Sequence, residues 1–262
     1  GSHRAHAGYY RAPALLKLER ASDAAALLTR ETALLSASDI APPAALLTAD
    51  ALARSGPLDD SLRTLATLLD ANPPASIRSA ALLLRGDVAA AAQRWSESEL
   101  AFSAFLAEFA GSELWFRARF GLGQALEAQS KHTAAIDAYR EVASRHDGAT
   151  AARAQFQIGE CLVALGKHQD AIAELVKVDA AFAEPEWSAA ALFEVGRVLV
   201  MIQRPDDAAR QFDEVISRFP DSQWGAMARN ERAKLAPAAL PGRRNAAAST
   251  PTRTPDNLQG DR

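Results

Sequence analysis

The 262-residue sequence holds a single cysteine, Cys161, so neither a disulfide framework nor a cysteine-rich zinc site organises it. Valine and isoleucine together number only 16, against 60 alanines. Strands draw on β-branched residues and helices favour alanine, so an all-α chain is expected. Charge of one sign is also missing. The 29 basic and 32 acidic residues leave a net charge of −3, without the basic footprint of a duplex-binding protein, so nucleic acid is not an expected partner. No run approaches the roughly 18 uncharged apolar residues that a membrane-spanning helix needs. There is no initiator Met, and Gly1-Ser2-His3 reads as the remnant of a cleaved affinity tag. That leaves open the removal of a signal peptide or lipid anchor.

What the sequence does have is a period. Gly86, Gly123, Gly159 and Gly196 are separated by 37, 36 and 37 residues. Twelve residues after each stands a small residue: Ser98, Ala135, Ala171 and Ala208. Large residues follow four positions further on, at Phe102, Tyr139, Leu175 and Phe212, and three beyond those at Phe105, Val142, Val178 and Val215. A glycine on one helix facing a small residue on the next lets two backbones approach, and the large residues fill the space around the contact. Each unit is therefore expected to be an antiparallel helix hairpin. Stacking such units buries the apolar side that each would leave open alone.

The four units are expected at 75–110, 111–147, 148–184 and 185–220. Further back the register is kept more weakly, with Ala49 in the glycine position, Ser61 in the small one and Leu65 and Leu68 in the large ones. Ala24 and Leu28 fit one step earlier, so 12–74 reads as degenerate N-terminal repeats, its first part either a unit or a single capping helix. Residues 221–236 read as a C-terminal capping helix ended by Pro237. Residues 1–11 and 237–262 offer little to bury and are expected to be unstructured.

These residues carry a resemblance. Ile158-Gly159, Leu162, Gly166, Ala171, Leu175 and Val178, with Leu122-Gly123, Leu126, Ala135 and Tyr139, and Val195-Gly196, Leu199, Ala208, Phe212, Val215 and Pro220, resemble the tetratricopeptide repeat over residues 75–236. The resemblance implies a right-handed α-solenoid. The unit is two or three residues longer than the family's usual 34, and the extra length falls at the end of the second helix and the loop after it. Those loops echo one another at Phe219-Pro220-Asp221-Ser222-Gln223-Trp224, Phe182-Ala183-Glu184-Pro185-Glu186-Trp187 and Phe109-Ala110-Gly111-Ser112. In this they resemble bacterial cell-envelope members, the Tol-Pal-associated cell-division coordinator and the outer-membrane assembly lipoprotein. Periplasm or cell envelope is the expected location, with cytoplasm the alternative. The tryptophans Trp115, Trp187 and Trp224 recur at joints between units and are expected to pack there.

Chemistry is sparse. His132 and His168 share one repeat position without further ligands converging on it, and Cys161 sits inside a first helix with no histidine at helical spacing. Asp59-Asp60 and Asp206-Asp207 open second helices, where carboxylates suit the positive end of the dipole. No catalytic residue, metal or cofactor is expected. In tetratricopeptide proteins the first helices line a concave groove that receives a peptide or helix of a partner, and the resemblance implies the same here. Counting from each glycine, the groove-facing row is Leu83, Phe120, Phe156 and Phe193. Beside it stand Arg117, Arg153, Asp87, Gln124, Glu160, Arg197 and Glu127. A mostly apolar partner segment suits such a row. The same phenylalanines also read as ordinary contacts between first helices. The expected function is a non-enzymatic interaction scaffold; the alternative is an accessory domain of a larger regulator or enzyme.

Overall fold

A computed structural model describes residues 2–235, and the stretch 237–262 lies outside the described residues. The described residues form fourteen helices and no strand. In order they are α1 (Ser2–Lys17), α2 (Ala21–Arg30), α3 (Thr32–Ser36), α4 (Ala41–Ser55), α5 (Leu58–Asp70), α6 (Ala75–Ala91) and α7 (Trp95–Glu108). The rest are α8 (Trp115–Ala128), α9 (His132–Arg145), α10 (Gly148–Ala164), α11 (His168–Ala181), α12 (Pro185–Met201), α13 (Pro205–Arg218) and α14 (Gln223–Lys234). Consecutive helices pack pairwise along the chain. The first helices of several neighbouring units also touch, α4 on α6, α6 on α8, α10 on α12 and α12 on α14.

The glycines explain how closely each hairpin shuts. A methyl group added to Gly86, Gly123 or Gly196 would lie 2.5–2.6 Å from the ring of Phe102, Tyr139 or Phe212, and one on Gly159 would lie 2.5 Å from the Leu175 side chain. Phe102, Tyr139, Leu175 and Phe212 are fully buried, as are the small residues Ala135, Ala171 and Ala208. Where the small residue is serine, its hydroxyl donates back across the hairpin. Ser98 Oγ reaches the Gly86 carbonyl at 2.9 Å, and Ser61 Oγ reaches the Ala49 carbonyl at 2.7 Å.

The turns share a second device. Seven residues after the close-approach position the backbone enters the left-handed region at Glu19, Gly56, Gln93, Ser130, Gly166 and Gln203. The next residue then donates its N–H to a carbonyl five residues back, as from Arg20 to Leu15, Arg94 to Ala89 and Arg204 to Leu199, at 2.8–2.9 Å. This is the six-to-one bond of a Schellman closure, which satisfies carbonyls at a helix end. Pro57 has no N–H to give, and there the Gly56 N–H bonds to Leu52 instead.

The shared turn counts the units. Glu19 follows Ala12 by the same seven residues, and Ala12, Ala24 and Leu28 are fully buried, so α1 and α2 form a complete hairpin in phase with the others. Six hairpins therefore stack among the described residues. Residues 2–11, expected to be unstructured, belong to α1, where Tyr9 packs on the cluster containing Ala12, Leu15 and Leu28. The second helix of this first unit breaks at Glu31, and α3 is its displaced end. At the other terminus α14 packs on α12 and α13, with Ser222 Oγ accepting the Gly225 N–H at 2.9 Å as its cap.

Candidate functional site

The face formed by the first helices carries a cavity of about 450 Å³. Four successive first helices line it: Asp87 from α6, Phe116, Arg117, Phe120 and Gln124 from α8, Thr150 and Arg153 from α10, and Trp187 from α12. Arg117, Phe120, Gln124 and Arg153 are thereby brought together, while Phe156, Glu160, Phe193 and Arg197 lie apart from it. Arg117 pairs with Asp87 across the α6–α8 joint. Burial raises the Asp87 carboxyl above its usual range, and the Arg117 guanidinium opposes that shift. The Arg153 guanidinium carbon stands 4.8 Å from the centre of the Phe120 ring and 5.9 Å from that of Trp187.

The phenylalanine row sits deeper than a contact surface. Phe120 is 7% exposed and Phe193 2%, and Leu83 at the head of the row is buried as well. Phe120 leans on Tyr139 at 5.3 Å, and Phe193 lies between Phe212 at 5.7 Å and Trp224 at 5.6 Å. Half-buried Phe156 packs on Trp187 at 5.6 Å. These rings are contacts between helices, and of the row only Phe120 also lines the cavity, beside Phe116, Trp187 and the polar flanks. Trp187 packs at its joint on Phe156 and also forms a cavity wall.

A second polar group lies further along the same face. Glu127 accepts hydrogen bonds from Tyr139 Oη at 2.7 Å and Gln157 Nε2 at 3.0 Å. Glu194, 5% exposed, pairs with Arg197 at 2.8 Å. Between them stands Glu160, whose Oε1 is buried without a hydrogen-bond partner among the described residues. Burial pushes the Glu160 carboxyl up to about 7, helped by the Glu194 and Glu127 carboxylates and opposed by Arg197. Spacing did not single out Glu194, although a lone acid inside Ala189–Val195 is a signal of a kind. Cys161, buried beside this group, is pushed up to about 12 by burial and by Glu127 and Glu160, so its reactive thiolate is suppressed near neutral pH. No cluster of three or more metal-ligating side chains occurs among the described residues, and no described helix is long and apolar enough to cross a membrane.

Stacked hairpins closed by a glycine–small–large contact, with a polar and aromatic face along the first helices, define a helical repeat scaffold. The family models agree: tetratricopeptide repeat models match residues 46–113, 120–183 and 190–222. The chain belongs to the tetratricopeptide repeat family. Among solved structures it is similar to YrrB, a tetratricopeptide protein with an unusual peptide-binding site, at 20% identity over 71% of this chain and 91% of that one, with a TM-score of 0.54. It is also similar to MamA, at 20% identity over 65% and 93% of the two chains with a TM-score of 0.56. Apo RapI shares 10% identity over 88% and 70%, with a TM-score of 0.65. At these identities the likenesses establish the fold alone. No curated protein matches the sequence. Proteins of this family are in general non-enzymatic scaffolds for protein–protein interaction.

Proposed function

We propose that the chain is a non-enzymatic scaffold that binds a peptide or helix of a partner protein on the face of its first helices. The observation that carries this is the cavity in which Phe120, Gln124, Arg117 and Arg153 meet, an aromatic floor with polar groups around it. Interfaces of that composition anchor apolar side chains centrally and fix register at the rim. YrrB, which shares the fold, has a peptide-binding site, and that supports the reading. The likeness of the inter-repeat loops to those of bacterial envelope members supports a role in cell-envelope organisation or assembly. Detection of the protein only in cytosolic fractions of its own cells overturns that location.

The binding face is tested with Gln124→Trp. Gln124 is half-buried on the cavity wall, and an indole there would occupy the cavity. A synthetic library of short peptides is selected on the immobilised chain. Peptides retained by the wild type should be lost from Gln124→Trp while its circular dichroism and melting stay unchanged. They should be kept by Arg140→Glu, on the second helix α9. Retention by Gln124→Trp overturns the proposal.

A further inference from the structure

Arg153 and Arg117 occupy equivalent positions, each six residues before a repeat glycine, yet they are held differently. Arg117 is paired with Asp87. Arg153 makes no ion pair or hydrogen bond with any described residue and rests only on the faces of Phe120 and Trp187. The cavity they share thus contains two guanidiniums and one carboxylate, an excess of one positive charge.

Stacking on aromatic rings fixes the plane of a guanidinium and leaves its N–H donors unused. A fixed planar fork with free donors matches a carboxylate, which it holds through two parallel hydrogen bonds. Arg153 is exposed, so water competes for that bond, and the fixed orientation of the fork rather than its burial favours the pairing. Asp87 is balanced by Arg117, so the cavity's one excess positive charge is matched by a single carboxylate, whereas a doubly charged group would leave one negative charge uncompensated. Because four successive first helices line the cavity, a bound segment has surface to follow on both sides of it.

We propose that the cavity receives an internal Asp or Glu side chain of the bound segment, with its carboxylate paired to Arg153 and its apolar neighbours lying on Phe116 and Trp187. This rests on the first-helix face being the peptide site. The test uses synthetic peptides with amidated C-termini that differ only in carrying Glu or Gln at one internal position. The wild type should retain the Glu members up to about fivefold more tightly, the scale of a well-oriented pair at an exposed guanidinium. Arg153→Gln should lose that preference while still retaining apolar peptides, and Arg153→Lys should recover only part of it, since an ammonium keeps the charge without the fork. Equal retention of Glu and Gln peptides by the wild type, with binding still abolished by Gln124→Trp, overturns this inference and leaves the peptide face standing. Binding that survives Gln124→Trp overturns the peptide face itself. A preference seen only with peptides whose C-terminal carboxylate is free overturns the internal side chain as the source.

Discussion

In hairpins α1–α2 and α4–α5 the close-approach position is Ala12 or Ala49, and the large residue sixteen positions later is Leu28 or Leu65. In the four hairpins from α6 onward a glycine takes the first position, and the second is Phe102, Tyr139, Leu175 or Phe212. The turn between helices is nonetheless the same in both regions, with a left-handed residue seven positions on. Removing a methyl from one helix makes room for a ring from the other, and alanine with leucine fills a similar gap with the methyl on the opposite side. Leu175 opposite Gly159 stands between the two solutions. The aromatic version buries more area per contact. The aliphatic N-terminal cluster, by contrast, has no fully buried ring, and beside it the second helix breaks at Glu31. A groove of about 560 Å³ opens there between α2, α3, α4 and α5. The two regions share a hairpin and differ in how firmly it is filled.

The largest expected effect comes from emptying the aromatic slot. Phe212→Ala should cost about 4 kcal/mol and Leu65→Ala about 3 kcal/mol in urea unfolding, both side chains being fully buried. Repeats contact only their neighbours, so amide exchange in the Phe212 variant should rise first in α12 to α14 and leave α4 and α5 protected. A greater loss for Leu65→Ala would reverse the ranking of the two regions. Exchanging one solution for the other is a finer test. Gly196→Ala sets a methyl 2.5 Å from the Phe212 ring, an overpacking that outweighs the roughly 1 kcal/mol gained in helix propensity. Combined with Phe212→Leu it recreates the N-terminal pair. The double variant should therefore be more stable than the sum of the single losses by about 1 kcal/mol. Simple additivity would mean that the two fillings are not interchangeable.

The four glycine-bearing hairpins were legible because close approach needs small residues at fixed positions, and that leaves a trace in residue type. The turn left a weaker one. Gly56 and Gly166 mark it in two hairpins, but Glu19, Gln93, Ser130 and Gln203 take the same position in the others, since the Schellman closure is made by backbone atoms. For the same reason α1–α2 could not be told from a lone capping helix, and residues 2–11 looked unstructured. At the candidate site, helical spacing placed Arg117, Phe120, Gln124 and Arg153 on one stripe, but it carries no information about depth. Phe120 and Phe193 are covered by Tyr139, Phe212 and Trp224 from neighbouring helices, and those contacts form between elements far apart in sequence. The pairing of Arg117 with Asp87, beside an unpaired Arg153, depends on the same long-range geometry.

The smallest effect separates the two regions by charge. One residue after the close-approach position stands Asp50 in α4 and Glu160 in α10. Asp50 is bonded to Arg54 at 2.9 Å on the surface. Glu160 is partly buried, and burial, helped by Glu194 and Glu127 and opposed by Arg197, pushes its carboxyl from 4.5 up to about 7. Between those values the folded chain holds a proton that the unfolded chain has released. Stability therefore falls as pH rises through that window, and the loss is complete above it. Glu160→Gln should flatten this slope in melting temperature measured across the window and raise the melting temperature on its alkaline side. Asp50→Asn, the matched change in the first region, should leave the slope in place. Amide exchange should locate the pH-dependent loosening in α10 and α12, where the carboxylates meet. A slope that survives Glu160→Gln would assign it to a different group, and the inner face of the later repeats would then differ from the first only in its rings.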